Sequence, residues 1–305
     1  MVKDLIKLIL NYFFFFIAKI LQSFKLLNFT IKIFKNVQLG LKKNFEHEIN
    51  KILNNKKILF LDIGSRGGLE PELEQYRKYF DIILVDPNMN IDFKILDEKK
   101  IIPKALWSSC DKKIFNITKT EEGSSFYTPN ENGFKFYFNS SNYFNNYKII
   151  TKKKFDCSTI EIELNKLNIS QIDFIKIDTQ GSEFEIIKGI GNNFKSLFIK
   201  CEVQILPLYK DVPLWSKILN VLDDLDYISI NMISLGASEI HMPVEADMYF
   251  IPNFFKNKNI FKNRESNFIS LMCMHNQIRP LKIISKILNF KYRKIIEKLE
   301  DSYFY

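Results

Sequence analysis

Ile172-Asp173-Phe174-Ile175-Lys176-Ile177-Asp178-Thr179-Gln180-Gly181-Ser182-Glu183-Phe184-Glu185-Ile186-Ile187-Lys188-Gly189-Ile190-Gly191 is the stretch that decides the fold. Ile172 to Ile177 reads as a buried strand that runs into Asp178, and Gly181, Ser182 and Glu183 then turn the chain into a helix carrying Phe184, Ile187 and Ile190 on its apolar side. In open α/β sheets ligands bind where strands meet helices at their carboxyl ends, so Asp178 and Glu183 stand where chemistry is expected. The plainer reading of the same residues is a solvated strand-to-helix turn.

A second junction lies upstream. Ile58-Leu59-Phe60-Leu61-Asp62-Ile63-Gly64-Ser65-Arg66-Gly67-Gly68 passes from an apolar run into a glycine turn, with a helix expected from about Leu69 to Phe80. Ile82 to Val85 is a short β-branched strand ending in Asp86-Pro87-Asn88, which sets an acid 24 positions beyond Asp62. An acid at that remove from a glycine turn accepts hydrogen bonds from ribose hydroxyls, so the unit reads as a nucleoside-binding half-fold. The dinucleotide fingerprint fails, because counting from Gly64 puts Arg66 and Leu69 where its second and third glycines belong. Glu70, Glu72 and Glu74 at the next helix start would also repel a pyrophosphate. A zwitterionic amino-acid tail on a sulfonium avoids both conflicts, which favours S-adenosylmethionine over NAD or FAD.

The 305 residues suit one α/β domain of about 200 residues with extensions. The formal charge of +9 suggests a nucleic-acid partner until its distribution is read. Residues 1–57 hold eleven Lys against three acids and residues 256–305 eleven Lys or Arg against four, so residues 58–255 carry 22 bases and 28 acids. Phosphate-backbone binding calls for basic groups near the site, so no nucleic-acid partner is expected. Cys110, Cys157, Cys201 and Cys273 form no C-x-x-C, and a reduced, cytoplasmic compartment follows. His47, His241 and His275 do not cluster with them, so no metal-ligating set is assigned.

The N-terminal run Leu8 to Ala18 is too short to span a bilayer. Lys3, Lys7, Asn11, Ala18, Gln22 and Lys25 fall near one helical stripe, so residues 1–30 read either as an amphipathic helix docking peripherally on the inner face of the membrane or as one packed on the catalytic domain. Ile101 to Ser108 reads as a strand ending near the pocket, with Trp107 either flanking an adenine or packed beneath the loop. Residues 111–156, rich in Phe and Tyr among Asn and Lys, suggest hairpins or a lid, within which Ser124 and Ser125 offer hydroxyls. Ser158 to Glu161 has capping-box spacing. Leu197 to Val203, Tyr227 to Ile233 and Ala246 to Ile251 are further strands, Trp215 to Leu225 an amphipathic helix, and Pro280 to Glu300 a basic helix.

Taken together, Asp173 to Glu183 with Lys188-Gly189, Asp62 to Gly68, Ser124-Ser125 and Cys201-Glu202-Val203 resemble the motifs of FkbM-type S-adenosylmethionine-dependent methyltransferases over roughly residues 57–251. One departure is Asp86-Pro87, where the family commonly has Glu-Pro. The resemblance implies an α/β, Rossmann-like sheet of seven strands, mostly parallel with the last antiparallel. Helical extensions at 1–56 and 256–305 flank a methyltransferase domain at 57–255. It implies O-methylation of a small-molecule or glycan hydroxyl, of the kind found in surface polysaccharides, glycolipids or secondary metabolites. The catalytic candidates are Asp178 as general base with Glu183 and Glu202 assisting. The cofactor candidates are Asp62, Gly64, Ser65, Gly67, Gly68, Asp86, Trp107, Ser124, Ser125 and Asp178. A divalent metal held by the acids, the oligomeric state, and a non-catalytic membrane-surface module retaining the fold are left open.

Overall fold

The structure is a computed structural model that describes residues 46–64, 69–87, 101–138, 141–191, 194–236 and 238–303. The N-terminal amphipathic segment, 1–30, and the glycine-turn residues Ser65, Gly67 and Gly68 lie outside them. The chain divides into a unit of Ile52–Arg293 and a smaller one of Met1–Lys51 with Lys294–Tyr305. What is described of the smaller unit is helical, at 46–51 and 294–303.

Among its described residues the larger unit holds ten strands: β1 Ile58–Ile63, β2 Phe80–Val85, β3 Ile101–Ile102, β4 Ala105–Leu106, β5 Lys112–Thr118, β6 Ile149–Ser158, β7 Phe174–Ile177, β8 Phe198–Gln204, β9 Tyr227–Ser234 and β10 Glu245–Pro252. Seven form one sheet in the order β3-β2-β1-β7-β8-β10-β9. Strands β1, β2, β3, β7 and β8 are parallel, and β10 enters antiparallel between β8 and β9. The expected seven-stranded, mostly parallel α/β sheet is therefore what the chain builds. The order reverses at β1, whose neighbours are β2 on one side and β7 on the other, and that switch point opens a crevice at the strand ends.

Side chains alternate across a strand, so the register of β1, β7 and β8 sorts them into rows. One face presents Leu61, Ile63, Ile175, Ile177, Ile199 and Cys201 to the main core. The other begins with an aromatic row, Phe60 opposite Phe174 opposite Phe198. Phe60 and Phe174 stack at 4.3 Å, and the His275 ring stacks on Phe198 at 4.8 Å. Two residues along, the same register sets Asp62 opposite Lys176 opposite Lys200, a row of charges in the middle of a buried sheet. At the amino end, Arg264 and Asn267 both bond the Asp173 carboxylate, tying the Glu265–Met274 helix region to the sheet.

Four expectations change. The helix expected over 69–80 is only Pro71–Glu74 followed by a 3₁₀ turn, Arg77–Tyr79. Tyr76 and Tyr79 are both buried, and a three-residue turn sets them above one another before β2 starts. Ile101 to Ser108 is two pieces, because Pro103 has no N–H to continue the ladder; β3 stays with β2 while β4 joins β6 in a second sheet ordered β4-β6-β5. Thr159, not Ser158, caps the Ile160–Lys166 helix, its hydroxyl accepting from Ile162 N at 3.2 Å. The helix expected over 280–300 is two, Ile278–Ile287 and Arg293–Tyr303, with Asn289 between them at φ 54°. That left-handed residue ends the first helix.

Candidate active site

A cavity of about 310 Å³ lies at the carboxyl ends of β1, β2, β7 and β8. Gly64, Asp86, Ser124, Asp178, Gln180 and Glu202 line it, with Leu106, Phe115, Phe126 and Phe155 forming its apolar wall. Its size and its mix of apolar wall and few polar groups suit a small-molecule site.

Gly64 brings the first two junctions together. It sits at φ +83°, and a Cβ on it would lie 1.8 Å from the Asp178 carbonyl oxygen. Only glycine lets the turn after β1 approach the turn after β7 so closely. The second turn is held from inside by Glu183, whose Oε1 accepts from Thr179 N at 2.8 Å, Thr179 Oγ1 at 2.9 Å and Gly181 N at 3.1 Å. Glu183 is thus the bolt of the turn that presents Asp178 and Gln180. Burial holds its carboxyl above the ordinary range, against those hydrogen bonds.

Behind the cavity the charge row forms a network. Lys176 Nζ lies 3.3 Å from Asp178 Oδ2, 3.6 Å from Asp62 Oδ1 and 3.7 Å from Glu70 Oε1. Lys200 Nζ lies 2.8 Å from both Glu70 oxygens and 2.9 Å from Asp247 Oδ2. Burial works against the Lys176 ammonium, but Asp62, Asp178 and Glu70 outweigh it and hold its pKa above the ordinary value. Burial likewise lifts the Asp62 carboxyl to about 6, against the attraction of Lys176 and with the repulsion of Glu70 and Asp178. Glu70, counted from sequence as a repulsive charge at a helix start, is instead neutralised by Lys176 and Lys200.

On the far side, Gln180, at φ 55°, has its side-chain amide 2.7 Å from Glu202 Oε1 and 3.2 Å from the Tyr209 hydroxyl. Tyr209 Oη also lies 2.9 Å from the Gly123 carbonyl, and Ser125 Oγ donates to the Gln180 carbonyl at 2.6 Å. The lid segment and the turn after β7 are stitched together by these bonds. Ser182 lines the cavity with a buried hydroxyl that has no hydrogen-bond partner among the described residues, as suits a group that meets a bound molecule.

Of the residues singled out from sequence, Gly64, Asp86, Ser124, Asp178 and Glu202 line one cavity. Asp62, Trp107, Ser125 and Glu183 are not among the lining residues. Asp62 is fully buried beside Lys176, and Trp107 packs with Ala105 and Cys157 and edge-on to Phe126. Gln180, Tyr209, Lys176 and Lys200 were missed. The one local signal was a lysine inside each of two apolar strands, which calls for a buried counter-charge. Among the described residues no group of three or more His, Cys, Asp or Glu is placed to hold a metal ion, and no helix is long and apolar enough to cross a membrane.

A family model described as a methyltransferase FkbM domain matches residues 29–229, well over half of the chain. It begins inside the segment that the sequence reading left outside the resemblance and ends within β9. No curated protein matches the chain. Among solved structures it is similar to a candidate DNA modification methyltransferase encoded within an E. coli prophage, at 12% identity and a TM-score of 0.30, covering 66% of this chain and 48% of that one. The chain spans about half the length of that protein, and a likeness so distant bears on neither activity nor substrate.

Proposed function

This chain belongs to the methyltransferase FkbM domain family, and from that premise we propose that it is an S-adenosylmethionine-dependent O-methyltransferase acting on a hydroxyl, that of a sugar in a surface polysaccharide, glycolipid or secondary metabolite. The observation that carries this reading is the convergence of Gly64, Asp86 and Asp178 on one cavity at the switch point of the sheet.

The residues present fit the cofactor. Gly64 keeps open a cradle that a Cβ would fill, the Asp86 carboxylate at the end of β2 suits a ribose diol, and Leu106, Phe115 and Phe155 offer an apolar wall to a purine. When bound, S-adenosylmethionine supplies an electrophilic methyl group on a positively charged sulfur. The chain's own part is to position the acceptor and to take its proton. Asp178, on the cavity wall with the Lys176 ammonium 3.3 Å away, is the base assigned here, since a hydroxyl must lose its proton as it is methylated. Holding the acceptor oxygen in line supplies much of the remaining acceleration.

Calorimetric titration with S-adenosylmethionine and its demethylated product tests the cofactor, and absence of heat with either sinks the proposal. Asp178→Asn tests the base. Labelled methyl transferred to glycan and lipid extracts of cells lacking the protein should fall roughly 10²- to 10⁴-fold at saturating S-adenosylmethionine, with the protein still folded. Unchanged transfer removes Asp178 from the reaction.

A further inference from the structure

Asp178 and Glu202 stand side by side at the carboxyl ends of β7 and β8. The two strands run parallel with Ile177 opposite Cys201, and one step further along the same register brings Asp178 beside Glu202. Ile177 and Cys201 face the core, so alternation turns both acids to the other face, and each lines the cavity. Neighbouring strands lie roughly 4.8 Å apart, which lets one small molecule reach both carboxylates. Burial and the Asp178 carboxylate push the Glu202 carboxyl above its ordinary range, as two acids this close require.

The two acids are held differently. Asp178 Oδ2 has the Lys176 ammonium at 3.3 Å, whereas Glu202 Oε1 accepts from Gln180 Nε2 at 2.7 Å. That bond takes one oxygen of Glu202 and leaves the other, Oε2, to the cavity. The amide is oriented from behind. The buried Tyr209 hydroxyl donates to Gln180 Oε1 at 3.2 Å and to the Gly123 carbonyl at 2.9 Å, so the NH₂ end of Gln180 is the one that meets Glu202. Ser125 Oγ donates to the Gln180 carbonyl, and Glu183 accepts from Thr179 N and Gly181 N on either side. Gln180, at φ 55°, is thus fixed through both its backbone and its side chain.

We propose, within the methyl-transfer reading and resting on it, that the acceptor is a vicinal diol bound with one hydroxyl on Asp178 and the neighbouring one on Glu202, and that Gln180 is the positioning residue that aims Glu202 at it. Two hydrogen bonds of about 2.7 Å, drawn from carboxylates one strand apart, converge on oxygens as close together as those on adjacent carbons. A lone hydroxyl on Asp178 would leave Glu202 Oε2 without a donor once the ligand had displaced water from it. In the transfer step the first hydroxyl oxygen bonds the methyl carbon as the carbon–sulfur bond breaks, the electron pair stays on sulfur, and the hydroxyl proton goes to Asp178. The second hydroxyl keeps its proton, hydrogen-bonded to Glu202, and holds the first in line.

Periodate cleaves the carbon–carbon bond of a vicinal diol and spares isolated hydroxyls, so it separates the two classes of acceptor. Glycan and lipid extracts of cells lacking the protein are oxidised with periodate and reduced with borohydride, then offered to the wild-type protein with labelled S-adenosylmethionine beside extracts that were only reduced. Methyl uptake should be lost on oxidation, and uptake kept after it overturns the diol. No uptake by the unoxidised extracts overturns the methyl-transfer reading itself and the diol with it. Gln180→Asn keeps the left-handed backbone but falls one methylene short of Glu202. It should raise the amount of extract needed for half-maximal transfer about tenfold, with a smaller change in maximal rate, and should add less than about twofold in a Glu202→Ala background. An unaltered half-saturation, or equal costs in both backgrounds, removes Gln180 from acceptor binding. The oxidation experiment uses the wild-type chain and decides the diol even if a variant does not fold.

Discussion

Gly64 illustrates how one missing methyl sets a site. From sequence it reads as a turn glycine, and its φ of +83° agrees. Its second duty, to let the Asp178 carbonyl pass within what would be 1.8 Å of a Cβ, involves a residue more than a hundred positions away. Gly64→Ala should therefore destabilise the protein by more than about 1 kcal/mol and weaken S-adenosylmethionine binding. Urea titration and calorimetry check both, and a variant as stable as wild type would mean that the two turns do not meet as described. Asp86 and Asp178 were legible singly, because an acid at the carboxyl end of a strand is a local pattern. Glu183 was legible as an important acid, but its role as bolt of the turn depends on where its carboxylate points.

At the scale of the strand, β7 shows why alternation is not enough. Phe174 and Lys176 share one face, Ile175 and Ile177 the other, and an ammonium in such a strand needs partners from its neighbours. Those partners come from β1, the turn after β7 and the segment before Pro71. Lys176→Met strips the counter-charge from Asp62 and Asp178, and breaking a buried pair from one side costs about 3–5 kcal/mol. The loss should grow with pH. Without Lys176 the Asp62 carboxyl rises above its present value of about 6, and a group with a raised folded pKa contributes stability that disappears as pH rises through that value. Urea titrations at about pH 5 and about pH 8 check this, and an equal loss at both would remove Asp62 from the account. The strand itself was plain from its apolar run. The network was not, since its members lie on segments far apart in the chain.

For the molecule as a whole, the acid limit of stability should trace to the aromatic row beneath the charges. His275 lies among Phe174, Phe198 and Tyr249, its Nε2 buried without a partner among the described residues, and burial with the nearby Lys200 lowers its pKa to about 3. A folded pKa below the ordinary 6.5 means that the unfolded chain binds the proton more readily. The neutral ring's stabilisation is present above 6.5 and lost as pH falls toward 3, a change on the order of 4–5 kcal/mol. His275→Phe should flatten the acid limb of the unfolding temperature over that window, and an unchanged slope would place the acid sensitivity elsewhere.

The sequence by itself determined the strand, turn and helix junctions and the acids that end them, because apolar runs, glycines and caps act over a few residues. It determined that basic residues gather in the flanks while residues 58–255 are net acidic, because charge is simply counted along the chain. Only the tertiary structure decided that Asp62, Lys176 and Lys200 stand in one row and that Gln180 sits between the Tyr209 hydroxyl and Glu202. Cross-strand register and the direction of a hydrogen bond are settled by packing between segments distant in sequence, and no local spacing encodes them.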